Sequence, residues 1–314
     1  MIETFNVELP GGVRLACRAA GNPGAPLVLF LHGFPEASFI WDEVIQRLSG
    51  QYRCVAPDLR GYGGSSAPAH VEAYSLRSVA SDIHALAQHL EADAATLVGH
   101  DWGGAVAWAV GAAAPAWLQH LVIINAPHPA LFLEALRQDP AQQRASDYMN
   151  FLCRPDAEQL LVADDFARMW DFFTGMGAVQ GCQPGAGWLT ESVRDRYRDV
   201  WRQGIAGALN YYRASPVRPA AAGDDRLQRI QLPVDATRIR APTLVIWAEA
   251  DIALGQGLLE GLDQHVDRLT VARVPEATHW IVHEQPTLVA DTIDRFLAGM
   301  PVDGAGETPP PGGT

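Results

Sequence analysis

Three ionisable residues, each just beyond a run of apolar residues, could carry chemistry in this chain: Asp101, Asp251 and His279. Asp101 is the centre of Gly99-His100-Asp101-Trp102-Gly103-Gly104, where the apolar stretch Thr96 to Val98 enters a small-residue turn and leaves through the Ala-rich segment Ala105 to Ala114. A tight strand-to-helix turn with small residues on both sides makes its central side chain stand exposed on a strained backbone. A carboxylate in that place attacks a saturated carbon and leaves an enzyme ester, whereas a serine attacks a carbonyl. Asp251 follows the apolar run Thr243 to Trp247, and His279, in Thr278-His279-Trp280, follows Leu269 to Val274. An imidazole oriented by a carboxylate is a general base that can turn water against such an ester. Glu249 and His283 are rivals for these two roles. Any one of these residues alone reads as a surface or capping group; their joint placement points to a site.

Strands and helices must bring them together. Residues 3 to 8 and 13 to 18, split by Pro10-Gly11-Gly12, predict a hairpin. Leu27-Val28-Leu29-Phe30-Leu31 predicts a strand buried on both faces, as in a parallel sheet. It ends in His32-Gly33-Phe34-Pro35-Glu36. Trp41 to Leu48 predicts a helix, and Tyr52 to Ala56 a strand closing at Pro57-Asp58. From Ser75, an N-cap, Leu76, Val79, Ile83, Leu86 and Leu90 recur on one helical face. Leu121 to Ile124 predicts a further strand, ending at Asn125-Ala126-Pro127, and Val289, Ile293 and Phe296 mark a last helix. Strands alternating with helices predict a mostly parallel, doubly wound α/β sheet over residues 1–128 and 236–300. Between 129 and 235 the spacing turns helical, as in Ala163 to Phe173 and Val193 to Trp201, broken by Gly175 to Gly187, which predicts an inserted helical cap. The Pro- and Gly-rich tail 301–314 is predicted to be disordered. In this arrangement Asp251 and His279, like Asp101, leave strands at their carboxyl ends, the edge where such sheets place their sites.

Composition excludes several other classes. The 314 residues suit one large core with an insertion, or two modest domains, and 48% hydrophobic with 19% charged residues describes an ordinary soluble globular chain. A net charge of -13 argues against nucleic acid or an anionic membrane as partner. All 23 basic residues are Arg, which removes Schiff-base chemistry, pyridoxal phosphate and the P-loop lysine together. The loop Arg60-Gly61-Tyr62-Gly63-Gly64-Ser65-Ser66 does not match the dinucleotide pattern. Cys17, Cys54, Cys153 and Cys182 lack metal or redox spacing and read as buried thiols, so neither a metal nor another cofactor is expected. The N-terminus has no secretory pattern and no apolar run approaches the ~20 residues of a membrane span, so a cytoplasmic monomer or homodimer is expected.

Leu31-His32-Gly33-Phe34-Pro35-Glu36, Pro57-Asp58-Leu59-Arg60-Gly61-Tyr62-Gly63-Gly64-Ser65-Ser66 and the turn around Asp101 together resemble the epoxide hydrolase branch of the α/β-hydrolase superfamily, over residues 2 to 298. The resemblance implies the order nucleophile, acid, histidine, here Asp101, Asp251 and His279. It implies an oxyanion hole made by the backbone N–H groups of Phe34 and Trp102, and places His32, Pro35 and Trp280 at the substrate. Two cap tyrosines that hydrogen-bond and protonate the epoxide oxygen are also implied, and a phenol with its reference pKa near ~10 suits that task. The matching segments are Ser146-Asp147-Tyr148-Met149-Asn150-Phe151 and Leu209-Asn210-Tyr211-Tyr212-Arg213, which give Tyr148 and Tyr212. The second departs from the family's Asn-Trp-Tyr-Arg by carrying Tyr211 for Trp, so Tyr211 and Tyr212 compete for the pocket. Tyr52, Tyr62, Tyr74 and Tyr197 read as packed core aromatics.

The implied activity is cofactor-independent opening of a small-molecule epoxide by water to a vicinal diol. Haloalkane and haloacid dehalogenases share the Asp nucleophile and form the alternative. Against it, Phe34 stands where the haloalkane enzymes carry Asn, and Trp102, Gly103, Gly104 and Ala105 stand where fluoroacetate-type relatives carry carboxylate-binding arginines. A non-catalytic ligand-binding homologue on the same fold is a third reading. The intact Asp101, Asp251 and His279 argue against it.

Overall fold

The computed structural model describes residues 1–178, 187–221, 223–302 and 304. Its sheet is built from β1 (Glu3–Glu8), β2 (Arg14–Ala20), β3 (Leu27–Leu31), β4 (Arg53–Pro57), β5 (Ala95–His100), β6 (Leu118–Ile124), β7 (Thr243–Ala248) and β8 (Leu269–Val274). Every residue of β3, β5 and β7 is buried, which requires cover on both faces of the sheet. The eight strands lie in the order β1-β2-β4-β3-β5-β6-β7-β8. β1 pairs antiparallel with β2, and β2 with β4; all other pairs are parallel. The predicted hairpin is this antiparallel edge, and the predicted doubly wound core is the remainder.

Helices α1 (Asp42–Leu48), α2 (Leu76–His89) and α3 (Trp102–Ala113) link the first strands. α2 forms as its spacing requires: Val79, Ile83 and Leu86 are buried on one face, and the Ser75 hydroxyl caps its start by accepting from the Ser78 amide at 3.2 Å. Between β6 and β7 the described residues form helices only: α4 (Pro129–Gln138), α5 (Pro140–Ala145), α6 (Tyr148–Leu152), α7 (Ala157–Gly175), α8 (Glu191–Trp201), α9 (Ala206–Ala214), α10 (Arg226–Arg229) and α11 (Val234–Thr237). This segment, called the cap below, lies over the carboxyl edge of the sheet. Trp201 donates its indole N–H to the Pro35 carbonyl at 2.7 Å, Tyr211 its hydroxyl to the Arg60 carbonyl at 3.0 Å, and Arg196 pairs with Asp42 at 2.6 Å. α12 (Ile281–Glu284) and α13 (Pro286–Leu297) follow β8.

Two expectations change. The helix expected over Ala163 to Phe173 is interrupted, because Asp164, Asp165 and Phe166 take left-handed backbone angles. Aspartates tolerate that region better than most residues, and the break turns Phe166 inward, 5.3 Å from the Trp201 ring. The tail does not come free at residue 301: Val302 is buried in the core, and the Pro301 carbonyl accepts from the Arg295 side chain at 2.7 Å. The rest of the predicted tail apart from Gly304, most of the Gly175 to Gly187 break, and Cys182 lie outside the described residues. Cys17 and Cys54 are buried, with thiols pushed up to about 12 by burial, and Cys153 is half-buried. No helix among the described residues is long and apolar enough to cross a membrane.

Candidate active site

In a sheet ordered β4-β3-β5, the chain leaves β3 towards one side for β4 and returns to the other for β5, so the loops after β3 and β5 diverge and open a crevice. Asp101 stands in that crevice at the N-cap of α3, with φ 51° and ψ −120°, a strained conformation for a residue bearing a Cβ. Two glycines make room for it. A Cβ on Gly33 would lie 2.3 Å from the Asp101 Cβ and Oδ1, and one on Gly103 would lie 2.3 Å from the Leu31 carbonyl oxygen. The small residues of the motif are therefore required where α3 leaves the turn against β3.

The backbone N–H of Phe34 donates to Asp101 Oδ1 at 2.7 Å, and the Trp102 N–H also reaches the carboxylate. Burial pushes the Asp101 carboxyl above its usual range; His279, His100 and the two amides oppose it. His279 Nε2 lies 3.8 Å from Asp101 Oδ2, and its Nδ1 lies 2.7 Å from Asp251 Oδ2. Burial disfavours a charged imidazole, but Asp251, with help from Asp101 and Glu36, outweighs it and lifts His279 to about 9. Asp251 moves the other way. Its burial is outweighed by His279 and by hydrogen bonds from His279, Asn125 and the Ala253 amide, which hold it below the usual carboxylate range. Asn125, at the end of β6, donates to Asp251 Oδ2 at 2.8 Å, while the amides of Ala253 and Leu254 serve Oδ1 at 2.8 and 3.1 Å.

A cavity of about 110 Å³ opens beside Asp101, lined by Trp102, Tyr148 and Tyr212 and walled by apolar side chains such as Leu76, Phe132, Met149 and Leu254. Tyr212 faces it, whereas Tyr211 is turned away and bonded to the Arg60 carbonyl, so the competition between the two is decided by Arg60. Burial raises both Tyr148 and Tyr212, with Asp101 adding to each, so both phenols stay protonated at neutral pH. Of the tyrosines expected in the core, Tyr62, Tyr74 and Tyr197 are buried and Tyr52 is half-buried.

Neither rival joins this group. Glu249 pairs with Arg273 at 3.0 Å, and His283 Nε2 lies 3.1 Å from Glu36 Oε1 and 2.7 Å from the Tyr197 hydroxyl. His32, Pro35 and Trp280, expected at the substrate, are not among the residues that line this cavity. His32 is wholly buried, its Nε2 accepting from the Leu59 amide and its Nδ1 facing the Gly33 carbonyl, so its ring braces two loops. Pro35 is buried and spends its carbonyl on Trp201. Trp280 is wholly buried, donates to the Phe173 carbonyl and meets the His279 ring edge-on, 5.1 Å away, as a wall behind it.

Two features escaped the sequence reading. Asn125 was visible as an amide directly after an apolar strand, on the edge that carries the site. The other is the buried Glu36, which meets His100 Nδ1 at 3.1 Å while His100 Nε2 lies 2.9 Å from the His279 carbonyl; Tyr197 and His283 complete its shell. Burial is outweighed there by the histidine hydrogen bonds, which hold Glu36 well below the carboxylate range. Among the described residues no group of three or more His, Cys, Asp or Glu is placed to hold a metal ion.

The family model for the α/β-hydrolase fold matches residues 26–286. The chain is 34% identical to epoxide hydrolase 4 of Mus musculus, over 91% of this chain and 77% of that protein. Among solved structures it resembles an epoxide hydrolase of Bacillus megaterium in complex with an inhibitor, at 31% identity and a TM-score of 0.83, covering 94% of this chain and all (100%) of that one. It also resembles an epoxide hydrolase found in metagenomes from hot environments, at 37% identity and a TM-score of 0.81, with 95% and 99% covered. A carboxylate at a strand-to-helix corner, an acid-braced histidine and this likeness along nearly the whole chain make it a hydrolase of the α/β-hydrolase fold family, in the epoxide hydrolase branch.

Proposed function

We propose that the protein opens epoxides to vicinal diols through a covalent ester on Asp101. The observation that carries this reading is the shared cavity: Asp101 and the phenols of Tyr148 and Tyr212 line one apolar space. An Asp101 oxygen attacks a ring carbon, the carbon–oxygen bond of the epoxide breaks, and the released oxygen takes a proton from one of the tyrosines. The product is a neutral hydroxyalkyl ester and a tyrosinate. Burial makes that anion unstable, and His279 returns its proton. This transfer also leaves His279 as a neutral base, now beside an ester that no longer raises its pKa.

His279, steadied by Asp251, then takes a proton from water as the water oxygen adds to the ester carbonyl. The N–H groups of Phe34 and Trp102 receive the negative oxygen, a pair of donors each worth roughly 10²- to 10³-fold in rate. Collapse expels the diol oxygen, which takes the carboxyl proton, and Asp101 is again a carboxylate. The apolar cavity walls suit a neutral substrate.

One turnover of styrene oxide in ¹⁸O-water followed by mass analysis tests the route. Label is expected in the Asp101 peptide, and an unlabelled enzyme after diol release would overturn the ester mechanism. Bromoalkane turned over faster than styrene oxide would favour the dehalogenase reading instead.

A further inference from the structure

Gln142 sits on α5 in the cap, outside every motif of the catalytic group, yet it is 3% exposed and, apart from one bond to Ser146, its polar atoms go into the loop that carries Asp251. Its Nε2 donates to the Ala253 carbonyl at 2.7 Å and also to the Ser146 hydroxyl at 2.9 Å, and its Oε1 accepts from the Gly255 amide at 3.2 Å. The amide thus pairs with the loop backbone as a neighbouring strand would. The Ala253 carbonyl belongs to the same peptide unit as the Leu254 amide, and that amide donates to Asp251 Oδ1 at 3.1 Å. One peptide therefore accepts from Gln142 at its oxygen and donates to the catalytic carboxylate at its nitrogen. Hydrogen bonds in such a chain polarise one another, so the first strengthens the second.

We propose that Gln142 is a positioning residue for the hydrolytic half of the reaction: through the 253–254 peptide it fixes Asp251, and through Asp251 it fixes His279, so that seating of the cap and readiness of the water-activating base are one event. The inference rests on the ester route proposed above. Its consequence is a division of labour. Ester formation needs Asp101, Tyr148 and Tyr212, none of which Gln142 touches, whereas ester hydrolysis needs the Asp251–His279 pair that it holds. Removing the clamp loosens Asp251, lowers the support for a protonated His279 and misdirects the imidazole, which slows hydrolysis alone.

The test follows single turnovers of styrene oxide by rapid quench across a range of pH in the full-length protein, in wild type, Gln142→Met and Gln142→Glu. Met keeps the shape and loses all three bonds; Glu keeps an acceptor for Gly255 and loses the donor to Ala253 and Ser146. Both variants are expected to slow ester hydrolysis by about tenfold, the weight of one neutral hydrogen bond, to leave ester formation within twofold, and to move the acidic limb of the hydrolysis rate to lower pH. Turnover then falls while kcat/KM holds. Equal slowing of both steps, or an unmoved pH profile beside a lowered melting temperature, would reduce Gln142 to a packing residue and overturn the proposal. A wild type that turns over without ester would sink the ester route itself, a different result from one in which ester forms but the variants do not separate the two steps.

Discussion

At the scale of single residues the chemistry turns on what Asp101 does to its neighbour. Burial disfavours the charged His279 imidazole, but Asp251 and, after it, Asp101, whose carboxylate lies 3.8 Å from Nε2, hold it at about 9. Replacing the Asp101 charge with a neutral amide, as the proposed ester also would, removes one of these supports. Asp101→Asn is therefore expected to lower the His279 pKa by about one to two units, the usual weight of one opposite charge at this range. NMR titration of the imidazole in the two proteins measures it, and an unchanged midpoint would mean that Asp101 does not govern the base. Each of Tyr148→Phe and Tyr212→Phe is expected to cost about 10²- to 10⁴-fold in ester formation, the ordinary worth of a general acid, measured as the single-turnover alkylation rate. The placement of Asp101, Asp251 and His279 was legible because each follows an apolar run that forms a strand of the sheet. Gln142 was not: its role depends on which way a cap helix faces across 111 positions of chain, and no local spacing encodes that. Where the His32 and Trp280 rings point was hidden for a similar reason, since adjacency in sequence to Gly33 or His279 does not say whether a ring faces the cavity or packs behind it.

At the scale of elements, the close passage of α3 over β3 sets how precisely the turn holds its carboxylate. Gly103 permits it, for a methyl group there would strike the backbone oxygens of Leu31 and His32 at 2.3 and 2.6 Å. Gly103→Ala is expected to destabilise the fold by about 1–3 kcal/mol or more, since a strand backbone cannot step aside. Gly175, at the end of α7, has open space where its Cβ would be, and Gly175→Ala is expected to stabilise by about 0.4–1 kcal/mol. Urea unfolding of the two variants distinguishes a steric glycine from a dispensable one; equal effects would contradict the packing described for the turn. The sheet was readable in advance because continuous apolar runs leave little choice of element. The break in α7 was not, because its apolar residues keep a helical spacing while two consecutive aspartates and Phe166 bend the chain towards Trp201.

At the scale of the whole molecule, cap and core are joined where the chain passes between them, and His128 ties the two passages together. It precedes the first cap helix, and its Nε2 lies 3.0 Å from the carbonyl of Thr237, at the end of the last one. The ring is 1% exposed, stacked on His265 at 4.5 Å and crossed by Trp108 at 5.1 Å, and its Nδ1 has no hydrogen-bond partner among the described residues. Burial, with some repulsion from His265, outweighs the Thr237 hydrogen bond and lowers His128 to about 4. The unfolded chain takes up this proton near pH ~6.5, before the native protein does, so stability is lost as pH falls from there towards 4. The loss amounts to about 2 to 3 kcal/mol by pH ~4.5 for this one group. His279 acts with the opposite sign, stabilising the fold below pH ~6.5 and ceasing to do so as pH rises through about 9, so the His128 contribution has to be read as a difference. His128→Gln keeps a donor for Thr237 and cannot titrate. Urea unfolding at pH 7.5 and 4.5 is expected to show the gap between wild type and variant narrowing by that amount on acidification; a gap that stays constant would mean the hinge imidazole is already hydrated and does not couple the cap to pH.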